Sequence, residues 1–177
     1  MVHAVLLQPL PYDDPDRLVE IVENVPAAES PSGGAMRLSS MNQDEFDWWR
    51  RRSTTLSHMA VLITEFRTMP TSDGTVRLPA ARVSPALFPM LGVQPVLGRW
   101  LRADEERPDA AVVVLSAAAW QRYFAFDPDV VNRAAVLDGR SHSIVGVMPP
   151  ELDLPAQDTA IRLPFAVEPR PGVVAIS

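Results

Sequence analysis

Three histidines are the first candidates for chemistry in this sequence, because an imidazole can act as a general base or bind a metal ion. They are His3, His58 and His142. No two of them have the HxxxH type of spacing that brings two ligands to one metal ion. We therefore expect each histidine to be a structural or surface residue.

Short acidic clusters are the next candidates, since carboxylate oxygens bind divalent cations. The clusters are Asp13, Asp14 and Asp16; Asp104, Glu105 and Glu106; and Asp127 with Asp129. The first lacks the spacing of an EF-hand loop, so we predict a solvated turn, with a small metal-dependent hydrolase as an alternative. The second cluster is predicted to face solvent and the third to cap a helix.

The sequence offers no motif for nucleophilic or phosphate chemistry. It has no cysteine, which excludes thiol catalysis, cysteine metal sites and disulfides. It also lacks a G-x-S-x-G elbow. The segment Gly92–Gly98 lacks the Lys-Ser/Thr of a phosphate-binding loop, and Pro95 removes a backbone donor. We therefore expect no enzyme activity, no catalytic or metal-binding residue and no cofactor.

The four tryptophans are candidates for a ligand groove. They are Trp48, Trp49, Trp100 and Trp120. Aromatic residues at helical spacing lie more often in a core than in a binding site. A second hypothesis is nevertheless a peptide- or lipid-binding module that uses Trp48, Trp49 or Trp100.

The composition indicates a globular protein and argues against nucleic-acid binding. The chain has 177 residues, which suits one domain, and 47% of them are hydrophobic and 21% charged. The net charge is −6, and the sixteen basic residues, all arginine, form no basic patch. We predict no signal peptide in Met1–Leu10. We also predict no transmembrane helix, because the uncharged run Ala110–Gln121 is shorter than ~20 residues.

The first third of the chain is predicted to contain a strand, a loop and a helix. Leu18–Val22 has the apolar pattern of a buried strand, and residues 25–38 are rich in proline and glycine, as loops are. Ser40 and Gln43 form a capping box that opens a helix over 41–52.

Two strands are predicted next, over Leu56–Arg67 and Thr75–Val83, with a turn at 72–74 between them. Pro79 has no backbone N–H, so we expect the second strand to be irregular or to lie at a sheet edge. In the following stretch, Ser84 is predicted to cap a short helix that begins at Pro85 and ends at Gly92. The helix should bury Leu87, Phe88 and Leu91, and Val96 and Leu97 should lie in a tight connection.

The C-terminal half has the clearest local signals. After a charged loop over Arg102–Asp109, Val112–Leu115 reads as a strand buried on both faces. Ser116 is predicted to cap a helix, and Asp138-Gly139 to form the type I′ turn of a hairpin. The strands of that hairpin are Ala134–Leu137 and Ser141–Val147. The order of elements predicts an α+β fold with a mixed β-sheet and packed helices.

Three segments in this order resemble the MacB-like periplasmic core domain of ABC-transporter permeases of the MacB/FtsX type. They are Pro9–Val19; Arg82–Arg99, similar to the family's VS..LF..LGV.P.LGR; and Val112–Pro150, with VVVLS, WQRYF and IVGVMPP. Phe46-Asp47-Trp48 also fits. The resemblance covers about residues 5–165 and is closest to the large acidobacterial-type permeases that occur without a neighbouring ATPase gene. Asn132 stands where the family usually has glycine, and we expect it to adopt a positive φ.

The resemblance implies a non-catalytic extracytoplasmic domain at the periplasmic face of the inner membrane. Such a domain transmits conformational change or gates export. The partners implied are the transmembrane helices of the same permease, a cytoplasmic ABC ATPase acting indirectly, and a periplasmic adaptor protein. We expect a single domain over residues 1–177, in which the family's pattern fades after about residue 165 and from which the flanking transmembrane helices are absent.

Overall fold

The computed structural model describes residue 19 and residues 23–25, 36–38, 43–150 and 159–166. These residues divide into two compact units, one within residues 14–58 and the other from Met59 onward. Each unit has its own β-sheet, of two strands in the first and seven in the second.

The first unit contains a short hairpin and a helix. Strand β1 (Glu23–Val25) pairs antiparallel with strand β2 (Met36–Leu38), and helix α1 covers Gln43–Arg52. The helix predicted over 41–52 is therefore confirmed for its described residues. The predicted loop over 25–38 is wrong at its C-terminal end, where β2 lies. Val19 is exposed and outside any strand, and its neighbours in the predicted strand lie outside the described residues.

The second unit is built on a mixed sheet of seven strands with two helices packed against it. The elements are β3 (Leu62–Thr71), β4 (Gly74–Val83), helix α2 (Leu87–Met90), β5 (Leu97–Gly98), β6 (Val112–Leu115), helix α3 (Ala117–Phe124), β7 (Ala134–Leu137), β8 (Arg140–Val147) and β9 (Ile161–Pro164). The strand order is β3-β4-β9-β6-β8-β5, with β7 also beside β8. The β4–β9 and β6–β8 pairs are parallel and the others antiparallel. The predicted α+β fold with a mixed sheet is confirmed.

The sheet curls until its β7–β8 turn meets β3. The backbone N–H of Asp138 donates to the carbonyl oxygen of Thr68 at 2.9 Å. In return, Asp138 Oδ1 accepts the Thr68 N–H at 2.8 Å. The concave side of the curl encloses the apolar core, whose fully buried members include Leu78, Val113 and Ile144.

Several local predictions in the second unit are confirmed. Ser116 Oγ accepts the N–H of Ala119 at 3.0 Å, as a helix cap does. Asp138 and Gly139 have φ values of 48° and 78°, the two positive values that a type I′ turn requires. Asn132 has a φ of 70°, as expected where the family has glycine. Each of these signals depends on a few adjacent residues.

Three predictions in the sheet are wrong, and one strand was not predicted. Strand β3 begins at Leu62, six residues later than predicted, and continues to Thr71. Strand β4 is not an edge strand, since it lies between β3 and β9. Pro79 is tolerated because pairing with β9 begins one residue later, and its carbonyl oxygen still accepts the N–H of Ala160. Leu97–Gly98 and Ile161–Pro164, for which no strand was predicted, are strands β5 and β9.

The start of helix α2 also differs from the prediction. Its N-cap residue is Ala86, so neither Ser84 nor Pro85 opens the helix. Ser84 instead joins β4 to the chain before β3: its Oγ accepts the N–H of Val61 at 3.1 Å, and its N–H donates to the Val61 carbonyl at 2.9 Å. The predicted apolar face of the helix is confirmed. The helix ends at Met90 with Leu91 as its C-cap, so Gly92, which has a φ of 69°, follows the cap and is not the cap that was predicted.

Candidate functional site

The histidines and the first acidic cluster do not come together in the described part of the chain. His3, Asp13, Asp14 and Asp16 lie outside the described residues. His58 is exposed, whereas His142 is 7% exposed and lies on β8. No group of three or more His, Asp or Glu side chains that could hold a metal ion occurs among the residues described.

Two acidic clusters have roles that differ from those predicted. No helix begins at Asp127–Asp129: the Asp127 carboxylate accepts the N–H of Asp129 at 2.9 Å and pairs with Arg133, so it stabilises a turn. Glu105 was expected to face solvent, but its side chain is only 12% exposed and pairs with Arg99 at 2.6 Å. Burial acts to raise the Glu105 pKa, but hydrogen bonds from Arg99 and the Arg102 backbone hold it below its ordinary value.

The tryptophans divide into packed and exposed pairs. Trp100 stacks on Phe88 with ring centroids 4.2 Å apart and donates its indole N–H to the Val93 carbonyl at 2.7 Å. Trp120 packs against the core and donates its indole N–H to a backbone carbonyl. Trp48 and Trp49 on α1 are 50% and 43% exposed. Of the four, these two offer the most surface to a ligand.

A concavity lined by several charged residues lies in the second unit, where the concave face of the sheet changes from apolar to polar. Side chains alternate between the two faces of a strand, so residues directly opposite one another share a face. Arg67 is opposite Leu78 and Arg82 is opposite Leu163, and both leucines belong to the core. The two arginines therefore point into the curl.

The cavity that Arg67 and Arg82 line has a volume of about 250 Å³. We call it the arginine-lined cavity. Its charged or titratable lining residues are Arg67, Arg82, Arg107, Asp138, Arg140 and His142. Its apolar wall is formed by Pro108, Ala110, Leu137, Leu163, Pro164 and Ala166.

Ion pairs hold one side of this cavity. Arg67 Nη2 lies 2.6 Å from Glu65 Oε1, and its Nη1 lies 3.0 Å from Asp138 Oδ2. Arg82 Nε lies 3.3 Å from Glu65 Oε2. Hydrogen bonds from the Thr68 hydroxyl and N–H, followed by the contact with Arg67, hold the pKa of Asp138 below its ordinary value. Asp138 therefore remains ionised at neutral pH.

The opposite side of the cavity is formed by Arg140 and His142. The Arg140 guanidinium donates to the carbonyl oxygens of Asp109 at 2.7 Å and Pro108 at 3.4 Å. His142 Nδ1 lies 2.9 Å from the carbonyl oxygen of Arg140. Burial lowers the pKa of His142, and the charges of Arg140 and Arg67 lower it further. The imidazole is accordingly neutral at pH 7.

A further arginine is buried on the other face of the sheet. Arg162 lies between Ile161 and Leu163, which face the core, and is only 2% exposed. Its Nη1 donates to the Thr159 carbonyl at 3.3 Å, and its Nε has no hydrogen-bond partner among the described residues. Burial lowers its pKa to about 10. No carboxylate in the described part of the chain pairs with it.

No sequence signal indicated the arginine-lined cavity. Its four arginines come from β3, β4, the loop before β6, and β8, so no short motif contains two of them. Only the strand register brings them together.

The fold is similar to that of solved extracytoplasmic domains of transporters. The periplasmic region of MacB from Actinobacillus actinomycetemcomitans matches with a TM-score of 0.53 and 16% identity, over 64% of this chain and 50% of that one. The extracellular domain of the ABC-type transporter YknZ from Gram-positive bacteria matches with a TM-score of 0.57 and 8% identity, over 71% of this chain and 63% of that one. A domain from Porphyromonas gingivalis assigned to a permease matches with a TM-score of 0.53 and 17% identity, over 74% of this chain and 55% of that one.

These structures are longer than the chain, which spans between half and two thirds of each. The comparison with curated proteins gave no match. No helix in the described residues is long and apolar enough to cross a membrane. The sequence profile of the MacB-like periplasmic core domain family, however, matches residues 8–174. The chain belongs to the family of MacB-like periplasmic core domains.

Proposed function

We propose that this chain is a non-catalytic extracytoplasmic domain of an ABC-type transporter permease, in which residues 1–177 act as one domain. The family match over residues 8–174 carries the proposal. The similarity of the fold to the domains of MacB and YknZ supports it. The domain would lie at the periplasmic face of the inner membrane and act together with transmembrane helices of the same permease.

The role within the permease is proposed to be the transmission of conformational change, or the gating of export, outside the cytoplasmic membrane. A cytoplasmic ABC ATPase would supply the motion indirectly, and a periplasmic adaptor protein would be the outer partner. The residues that carry this role would be those of the curled sheet, because its ladders join elements from most of the unit.

Cysteine labelling in cells tests the location. The chain has no cysteine, so Ser72→Cys in the exposed β3–β4 turn creates one reactive thiol in it. In the full-length gene product, with any cysteine elsewhere replaced, a membrane-impermeant maleimide should label this thiol in intact spheroplasts. Leu115→Cys is the matched buried control and should label only after denaturation. Labelling of the Ser72→Cys variant only after membrane permeabilisation would contradict the proposal.

The same variant tests the transmission of motion. In inside-out vesicles, where added ATP reaches the cytoplasmic face, the labelling rate of the introduced thiol by a membrane-permeant maleimide is measured without nucleotide, with ATP, and with ATP plus vanadate. A rate that depends on the nucleotide state supports transmission to this domain. Rates that are identical in all states, in Ser72→Cys and at a second exposed position such as Arg102→Cys, contradict it.

A second candidate function is a peptide- or lipid-binding module, which the exposure of Trp48 and Trp49 favours. An exposed indole that enters an apolar environment shifts its fluorescence emission to shorter wavelength. The wild type should show this shift with a hydrophobic peptide or a lipid vesicle, and the double variant Trp48→Phe, Trp49→Phe should lose it. Emission that stays unchanged across such a panel would contradict this function.

A further inference from the structure

The arginine-lined cavity carries one positive charge more than the described carboxylates balance. Four guanidinium groups line it and three carboxylates pair with them; the groups are Arg67, Arg82, Arg107 and Arg140, and the carboxylates are Glu65, Asp109 and Asp138. Within the described residues Arg140 is the arginine without a carboxylate, because it donates to two backbone carbonyl oxygens. Carbonyl dipoles satisfy its N–H groups but do not neutralise its charge.

Arg82 has one buried donor, Nε, without a hydrogen-bond acceptor among the described residues. Its Nε is buried and makes no hydrogen bond within the described part of the chain, although Glu65 Oε2 is 3.3 Å away. Nε is the one Arg82 atom among the buried unpaired donors of the described residues, and the side chain as a whole is 29% exposed, so a ligand can reach it. A buried donor left without an acceptor costs about 1–3 kcal/mol, so an acceptor that entered the cavity would remove this cost.

The size and wall of the cavity restrict what can enter it. The cavity has a volume of about 250 Å³, so only a small molecule or the end group of a larger one lies inside it. The wall includes the apolar side chains of Leu137, Leu163 and Pro164. An apolar body of a few carbon atoms therefore fits beside the guanidinium groups.

We propose that the arginine-lined cavity binds a monocarboxylate with a short apolar body. The single negative charge of a carboxylate equals the excess charge of the cavity, whereas a phosphate dianion exceeds it. The two oxygens of a carboxylate match the planar fork of a guanidinium, here that of Arg82. The carboxylate belongs either to a small free acid or to the C-terminus of a peptide. This site does not depend on the role proposed for the domain in a permease.

Titration of the full 177-residue chain with pentanoate tests the proposal, with the ring resonances of His142 as the readout. These are assigned by comparison with His142→Gln. We expect a saturable shift of the His142 resonances and a rise in the His142 pKa, because the bound anion offsets the charges of Arg140 and Arg67. Pentanol and inorganic phosphate serve as the uncharged and the dianionic probes. Binding of either one as tight as that of pentanoate would overturn the proposal.

Two variants on the same strand locate the site. Arg82→Gln should weaken pentanoate binding about tenfold, the loss of charge-assisted hydrogen bonds. Arg77→Gln removes the same charge from a side chain that lies over Phe66, outside the cavity, and should change the affinity less than about twofold. Equal weakening by the two variants would mean attraction by net charge alone and would overturn the proposal, as would the absence of saturable binding.

If Arg82→Gln does not fold, Arg140→Gln removes the charge that no described carboxylate balances and should weaken binding in the same direction. A pentapeptide with a free C-terminus, compared with its amide, identifies the source of the carboxylate. Binding of the free acid tighter than that of pentanoate assigns it to a chain terminus, and the reverse order assigns it to a small acid. Equal binding of acid and amide contradicts a carboxylate site.

Discussion

At the scale of single residues, Arg162 carries a buried positive charge that few contacts compensate. Its guanidinium is almost completely buried, with one carbonyl contact and no carboxylate among the described residues. Burying a charge costs several kcal/mol unless a partner offsets the lost hydration, and an apolar residue of similar length avoids the cost. Within the described residues, Arg162 therefore lowers the stability of the sheet relative to an apolar residue of similar length.

We predict that Arg162→Met raises the free energy of unfolding by about 1 kcal/mol, because it replaces an unbalanced charge with an apolar side chain of similar length. Urea unfolding measures this change. The matched control is Arg77→Met on β4, outside the core, which should stay within about 0.5 kcal/mol of the wild type. A loss of about 2 kcal/mol or more in Arg162→Met would show that a carboxylate does balance Arg162.

His142 makes the stability depend on pH below neutrality. Because burial lowers its pKa from the ordinary value of 6.5, the unfolded chain binds a proton at a higher pH than the folded chain does. The charged groups that act on the ring are Arg140, Arg67 and Asp138. The contribution of this ring to stability is therefore complete above pH 6.5 and falls as the pH decreases toward the lowered pKa.

We predict that His142→Gln removes this part of the acid sensitivity. Urea midpoints should fall more between about pH 7.5 and about pH 5.5 in the wild type than in the variant, since glutamine does not titrate. His58→Gln is the control, because His58 is exposed. A wild type and a His142 variant with parallel pH dependence would contradict the assignment of the effect to this ring.

At the scale of elements, the pairing of β5 with β8 depends on two glycines opposite each other. Gly98 pairs with Gly146 in an antiparallel register. A Cβ on Gly146 would lie 2.2 Å from the Arg99 carbonyl oxygen, and one on Gly98 would lie 2.2 Å from that of Val145. Both contacts are with backbone, which cannot move aside as a flexible side chain can. The two glycines allow the strands to approach closely.

Gly146→Ala should accordingly destabilise the protein by about 2–3 kcal/mol or prevent folding, the effect of overpacking against backbone. Gly139→Ala is the control, because it measures the cost of a positive φ without a steric clash. Gly139 has a φ of 78° but open space around a Cβ, so its substitution should cost only about 1 kcal/mol. Thermal unfolding compares the two. Equal losses would mean that the clash at Gly146 is relieved by movement of the loop at Arg99.

The individual helices, strands and turns differ in how well they can be predicted from sequence. Ser116, Asp138-Gly139 and Val112–Leu115 were predicted correctly, because a cap, a turn and a buried strand depend on residues next to one another. The partner of Ser84 is Val61, 23 residues away, so the rule for caps assigned its hydroxyl to the wrong donor. Strand β9 is only four residues long and ends in proline, and its central place in the sheet depends on pairing with β4 and β6.

The candidate site was less predictable than the fold. No neighbouring residue in the sequence shows where an arginine side chain points. An arginine at an inward strand position therefore cannot be distinguished by sequence from a charged surface residue. Arg67 and Arg82 become part of one cavity only through the register of β3 with β4 and the curl of the sheet. The aromatic and acidic residues that sequence rules favoured are packed, paired or exposed separately wherever the structure describes them.

At the scale of the whole curled sheet, Asp138 makes the hydrogen bonds and the ion pair described between its two ends. Asp138 accepts hydrogen bonds from the N–H and hydroxyl of Thr68, at 2.8 Å and 2.7 Å, and pairs with Arg67. Among the described residues no strand ladder joins β3 to β7. The contact is partly exposed, so each hydrogen bond contributes less than a buried one.

We predict that Asp138→Ala lowers the free energy of unfolding by about 1–2 kcal/mol and increases the hydrogen exchange of the Thr68 amide. Asp138→Asn keeps an acceptor for Thr68 and a residue that tolerates the left-handed turn, and should cost less than about 1 kcal/mol. The amide of Val113 within the ladders is the internal control. Unchanged exchange at Thr68 in Asp138→Ala would show that other contacts hold the two ends together.

A sheet that curls back to its first strand without a ladder across the join is, in mechanical terms, a split ring. When such a ring opens at the slit, its inner diameter increases and the rest of the ring bends as one piece. The slit here lies between Thr68 and Asp138, beside the arginine-lined cavity. A pulling force across the slit would separate Arg67 from Asp138 and widen the cavity. A ligand bound in the cavity would resist that separation.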